Sequence, residues 1–78
     1  MLDARKVGMV IQEQREKRKM SQELVSGFAG IGRTHLSAIE RGERKPTLET
    51  FFKIAEALRM RPSQLMEQIE QAVSQEYK

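Results

Sequence analysis

Cysteine is missing from this chain of 78 residues. Its absence excludes a disulfide framework, a thiolate zinc site and thiol catalysis together. Histidine occurs once, as His35, so a two-histidine metal site is excluded as well. Aromatic side chains are scarce, with three Phe, one Tyr and no Trp. No apolar run approaches the roughly 18 residues that read as a membrane span, and no apolar leader segment opens the chain. No acid/base pair, nucleophile constellation, phosphate loop or metal cluster rises above chance. The expectation is a soluble, cytoplasmic domain with no enzymatic activity, no cofactor and no membrane partner.

What is present is charge. Lys and Arg number 14 against 11 Asp and Glu, a net +3. The surplus is unevenly placed. Residues 1–61 hold thirteen cations against eight anions, whereas residues 62–78 hold one Lys against three Glu. A basic body permits a nucleic-acid partner, and an acidic tail would be repelled by phosphate. Hydrophobic residues make up 38% of the chain, a small core for a single domain. Chains below about 80 residues often need a metal, disulfides or a second subunit for stability. A homodimer is therefore one expectation.

Glycine and proline cut the sequence into five short helical patterns, with no period-two run long enough for a strand. The first covers residues 4–19, with Val7, Val10 and Ile11 on one face and cations at the end, where the helix dipole favours them. Ser21 caps a second helix carrying Val25, Phe28 and Ala29, and Gly30 ends it. After Gly30-Ile31-Gly32, a third helix turns Leu36 and Ile39 inward and closes at Gly42. Thr47 caps a fourth, with Leu48, Phe51, Ile54, Ala55 and Leu58 as its buried stripe. Ser63 reads as the cap of a fifth, which carries Leu65, Met66, Ile69, Ala72, Val73 and Tyr77 at helical spacing. The fold class is all-α, a single domain over residues 1–78.

Residues 22–41 are the informative stretch. Two short helices joined through a three-residue glycine turn form a helix-turn-helix unit. Val25 and Ala29 meet Ile31, Leu36 and Ile39, and Ser26 and Gly30 read as the small residues where the helices cross. The second helix then exposes Arg33, Thr34, Ser37 and Ala38.

Several fragments in register resemble one family: Ser21-Gln22-Glu23, Ala29-Gly30-Ile31-Gly32-Arg33-Thr34-His35-Leu36-Ser37, and Ile39-Glu40-Arg41-Gly42-Glu43-Arg44-Lys45-Pro46-Thr47-Leu48-Glu49. Lys53-Ile54-Ala55-Glu56-Ala57-Leu58 continues the match, which covers residues 7 to 69. The family is the XRE/Cro-like helix-turn-helix DNA-binding proteins, phage repressors and restriction–modification controllers among them. The resemblance implies a compact five-helix, lambda-repressor-like domain. Its recognition helix would end at Arg41 and lie in the major groove. It places Arg33, Thr34, Ser37 and Ala38 where bases are read, with Arg33 suited to two parallel bonds to guanine. Gln22, His35, Arg41, Arg44 and Lys45 fall at phosphate-facing positions. Arg15 and Glu40 match a structural ion pair. Gly32 departs from the usual Ser or Thr cap, Lys19 replaces a common glycine, and Gly27 inside a helix costs about 1 kcal/mol relative to Ala.

The C-terminal helix, residues 62–78, reads as a dimerisation element. Leu65, Met66, Ile69, Val73 and Tyr77 form its stripe, with Phe52 contributing. The other reading is that Leu65 and Ile69 complete the chain's own core. Two functions follow: a homodimeric regulator reading a pseudo-palindromic site in double-stranded DNA, or an antitoxin- or adaptor-type module binding a co-encoded protein.

Overall fold

The computed structural model describes residues 2–74, which form five α-helices and, among those residues, no strand. Helix α1 is Ala4–Lys17, α2 is Gln22–Ala29, α3 is Arg33–Glu40, α4 is Leu48–Ala57 and α5 is Pro62–Ser74. Local signals start most of them. Asp3, Ser21 and Thr47 accept from the backbone N–H of Arg5, Leu24 and Thr50 at 2.9, 3.0 and 3.1 Å, each satisfying a donor that the helix itself leaves unpaired. Helix α5 starts differently from the expectation at Ser63. Pro62 takes the first helical position, and the Gln64 side chain reaches back to accept from Arg61 N–H at 3.0 Å, half of a capping box.

The first four helices end alike. Lys19, Gly30, Gly42 and Arg59 adopt left-handed φ values of 57°, 70°, 79° and 60°. At each end two backbone N–H groups fold back onto the last carbonyls, as in Lys19 to Glu16 and Met20 to Arg15. This is the Schellman closure. Two of these turns use cations where glycine adopts the conformation without steric cost.

The core gathers Val7, Val10 and Ile11 of α1, Val25 and Ala29 of α2, Leu36 and Ile39 of α3, and Phe51, Ile54, Ala55 and Leu58 of α4. Helix α2 packs on α3 and α4, and α1 packs on α3 and α5. Leu65 and Ile69 of α5 are fully buried in this core, which corrects their assignment to a dimer interface. They seal the single chain. Phe28 and Leu48 correct the expected stripes in the other direction, at 62% and 75% exposed. Phe28 lies off the arc of Val25, Ser26 and Ala29, and Leu48 stands at the first position of α4, beyond the rim of the core.

A close approach locks α3 onto α1. A Cβ on Gly8 would lie 2.2 Å from the Ile39 carbonyl oxygen and 2.6 Å from that of Glu40. Only a bare backbone lets the two helices meet there. Gly30, by contrast, has nothing within 4 Å of such a Cβ, so its role is the left-handed turn and not the helix crossing. Ser26, 4% exposed, does occupy a buried position on α2.

Candidate nucleic-acid interface

Helix α3 carries the exposed chemistry, and its last residue anchors it. Glu40 is buried, yet its carboxylate is saturated with donors. Arg15 Nε donates to Oε2 at 2.8 Å, Arg15 Nη2 to Oε1 at 3.1 Å, and Gln22 Nε2 to Oε1 at 3.0 Å. Arg15 Nη1 also donates to the Met20 carbonyl at 2.8 Å. One carboxylate thus ties α1, α2 and α3 together, with the α1–α2 turn held through Arg15. The hydrogen bond and charge of Glu40 raise the Arg15 pKa above its already high value, against the opposing effect of burial. Gly8 and Arg15 lie two turns apart on the same face of α1, so the close approach and the ion pair act on the same end of α3.

Around that anchor, Gln22, Arg33, Thr34, Ser37 and Arg41 line one hollow. Five of the predicted DNA-facing residues are therefore brought together. Arg33 and Thr34 are exposed, and Ser37 and His35 are half-buried. Ala38 is not available. At 9% exposed it belongs to the buried side of α3, which corrects its place among the base-reading residues. Gly32 begins the helix without a side-chain cap, so an external acceptor meets no side-chain competitor at that helix end.

Arg44 and Lys45 are exposed in the loop after α3. Lys45 lines a second, more apolar hollow with Leu2, Val7, Pro46, Leu48, Phe51, Met66 and Ile69, and not the α2–α3 hollow. Arg41 is already engaged. Its Nε and Nη2 donate to Glu43 Oε2 and Oε1 at 2.8 and 3.0 Å, and its Nη1 donates to Ser37 Oγ. The Glu43 hydrogen bond and charge raise the Arg41 pKa, and Arg41 in turn holds the Glu43 carboxyl below its ordinary range.

A family model described as helix-turn-helix matches residues 11–65. The chain belongs to the helix-turn-helix family. It is similar to the ImmF control region 10 kDa protein of Bacillus phage phi105, 36% identical over 55 residues, which are 70% of this chain and 61% of that protein. It therefore spans about six-tenths of that relative. Among solved structures, the restriction-modification controller protein C.AhdI of Aeromonas hydrophila matches at 32% identity and TM-score 0.78, over 83% of this chain and 98% of that one. C.Esp1396I bound to a 19 base pair DNA duplex matches at 26% identity and TM-score 0.85, over 94% and 97%.

Within this helix-turn-helix fold, Gly8 and Glu43 have roles that the sequence does not signal. Gly8 carries no local signal, because its reason is a backbone on another helix. Gln22, where the resemblance implies both a phosphate contact and a part in fixing the recognition helix, donates one of its amide protons to Glu40. Glu43 was read only as part of a motif, although the left-handed Gly42 between it and Arg41 folds the two side chains together. Of the predicted dimer residues, Phe52 and Met66 are 53% and 39% exposed. Val73 is half-buried against the core. Tyr77 lies outside the described residues.

Proposed function

We propose that this chain is a sequence-specific regulator of transcription that binds double-stranded DNA as a homodimer, with α3 in the major groove. The observation that carries the reading is a polar, cation-bearing face on a helix whose far end is immobilised by Glu40. A readout helix must hold its side chains in fixed register with base edges. Arg33 would read guanine, Thr34 and Ser37 would bond bases or phosphate, and Gln22, His35, Arg41, Arg44 and Lys45 would position the backbone. The second amide proton of Gln22 remains for a phosphate oxygen. The DNA-bound relative supports this reading, and the family is one of regulators and not of enzymes.

The dimer surface is redrawn from the expectation. With Leu65 and Ile69 buried, Leu2, Leu48, Phe52 and Met66, all exposed, are the apolar residues we assign to a second subunit. Two recognition helices about 34 Å apart would then read half-sites one helical turn apart. A second surface favours a protein partner of another kind. Leu24 and Phe28 of α2 are 43% and 62% exposed, and a co-encoded protein would dock there without competing for α3. In the described residues no helix is long and apolar enough to cross a membrane.

Selection of bound sequences from random duplexes at near-physiological salt, with a mass measurement of the free protein, tests the proposal. A symmetric enriched motif and a dimer mass are expected. Failure to enrich any sequence, with no salt dependence, overturns it.

A further inference from the structure

Arg41 stands at the edge of the α2–α3 hollow, but it is not a bare cation. Glu43 fills its fork with a two-oxygen acceptor at 2.8 and 3.0 Å, the geometry in which a phosphate would be bound. Ser37, which lines the same hollow, takes a third donor. Both partners are more than half exposed, at 53% and 58% of the side chain. Exposed pairs are held weakly, so the carboxylate is exchangeable. We propose that Glu43 is a built-in counter-ion of Arg41 which a DNA phosphate must displace, and that it limits affinity most on the selected duplex, where the exchange is complete.

The inference rests on the DNA-binding reading above and adds a term to it. A displaced counter-ion lowers affinity by the cost of breaking its pair, and only a complex that breaks the pair incurs that cost. On an unselected duplex the base contacts of α3 do not set a register. No phosphate is then held in line with the Arg41 fork, and the pair stays closed with no net charge. On the selected duplex, contacts from Arg33 and its neighbours fix the register, and a phosphate is presented to Arg41 continuously. Exchange then goes to completion. Loss of the carboxylate charge therefore helps the tight complex more than the loose one. A counter-ion placed this way acts as a positioning residue through Arg41, without itself touching DNA.

The test compares the full chain with Glu43→Gln, Arg41→Ala and the double variant, measuring anisotropy on the selected duplex and on a random duplex of equal length. Glu43→Gln should tighten selected-duplex binding by about three- to fivefold and random-duplex binding by less than about twofold. In the Arg41→Ala background the same substitution should change either affinity by less than about twofold. Equal tightening on both duplexes, greater tightening on the random duplex, no tightening, or an undiminished effect without Arg41 overturns the counter-ion. A parent chain that binds no duplex with salt sensitivity overturns the regulator reading and this inference together. A parent that discriminates, with a Glu43→Gln variant that behaves identically, overturns this inference alone. Thermal melts confirm that the variants are folded, since neither side chain of the pair is buried.

Discussion

Glu40 and Arg41 are neighbours in the chain, and each is one half of an arginine–glutamate fork. The fork with Arg15 is buried, its side chains 11% and 2% exposed, and the fork with Glu43 is open to solvent at 53% and 58%. The bond lengths hardly differ, at 2.8 Å for the shortest contact in each. Their surroundings assign them different work. A buried carboxylate stripped of one donor has no water to turn to, so the inner fork is held in place by the cost of breaking it. The outer fork is more than half exposed and yields to a better acceptor. Turning one residue along α3 thus separates what fixes the helix from what meets a ligand.

Breaking the inner fork should therefore have the largest effect. Glu40→Ala leaves the Arg15 guanidinium buried without its partner and should cost about 3–5 kcal/mol. Chemical denaturation followed by circular dichroism measures it, and a loss no greater than that of an exposed alanine substitution would dissolve the distinction between the forks. Replacing Arg15 and Glu40 together by Met should recover most of the loss, because a well-packed apolar pair carries no unpaired charge.

Two helix-interior glycines sharpen the same comparison. Gly8→Ala drives a methyl into the Ile39 and Glu40 carbonyls and should destabilise by about 1–3 kcal/mol or more, since α1 and α3 must separate. Gly27 faces open space, with nothing within 4 Å of an added Cβ. Gly27→Ala should instead stabilise by about 1 kcal/mol through helix propensity alone. Thermal unfolding of the two variants should move in opposite directions. Both glycines sit inside helices, and only the tertiary contact tells them apart.

That pair also marks how far the sequence could be read. Ser21, Thr47, Gly30 and Gly42 act within a few residues of themselves, so the caps and turns they form were legible. The Arg15–Glu40 pair was legible only through resemblance, because twenty-five residues separate its members. The partition of α5 was not legible at all. Leu65 and Ile69 share helical spacing with Val73, and neighbouring Met66 is equally apolar. Periodicity shows a buried stripe without saying whether this chain or a second copy buries it. Ala38 escaped for a related reason. Its small side chain gives no signal of which side of α3 it faces, and only the packing against the rest of the fold withdraws it from the surface.

On the DNA side, Arg33 and Lys45 divide the exposed cations by location. Arg33 lines the hollow with Gln22 and Thr34, whereas Lys45 lies in the loop beyond. Arg33→Ala should relax preference at one base position by about 1–3 kcal/mol of discrimination. Lys45→Ala should weaken all duplexes alike and flatten the salt slope by about one. Repeated selection with each variant checks this, and an unchanged motif for Arg33→Ala would remove it from the readout.

The smallest effect concerns the outer fork itself. Arg41 holds the Glu43 carboxyl below its ordinary value of 4.5 by hydrogen bond first and charge second. A carboxyl lowered by folding contributes stability that is fully present above its unfolded pKa and is lost as pH falls through the folded one. The pair therefore acts unchanged at neutral pH and fades only in acid below about 4.5. A carboxyl-detected NMR titration should find the Glu43 midpoint below that of an ordinary glutamate, and Arg41→Ala should return it upward. The melting temperature near neutral pH should barely respond to Arg41→Ala, in contrast to the collapse expected from Glu40→Ala. If the Glu43 midpoint stayed depressed without Arg41, another group would have to supply the field. If the neutral-pH melting temperature fell steeply, the outer fork would be structural like the inner one, and exposure would no longer separate the residue that holds α3 from the residue that offers itself to phosphate.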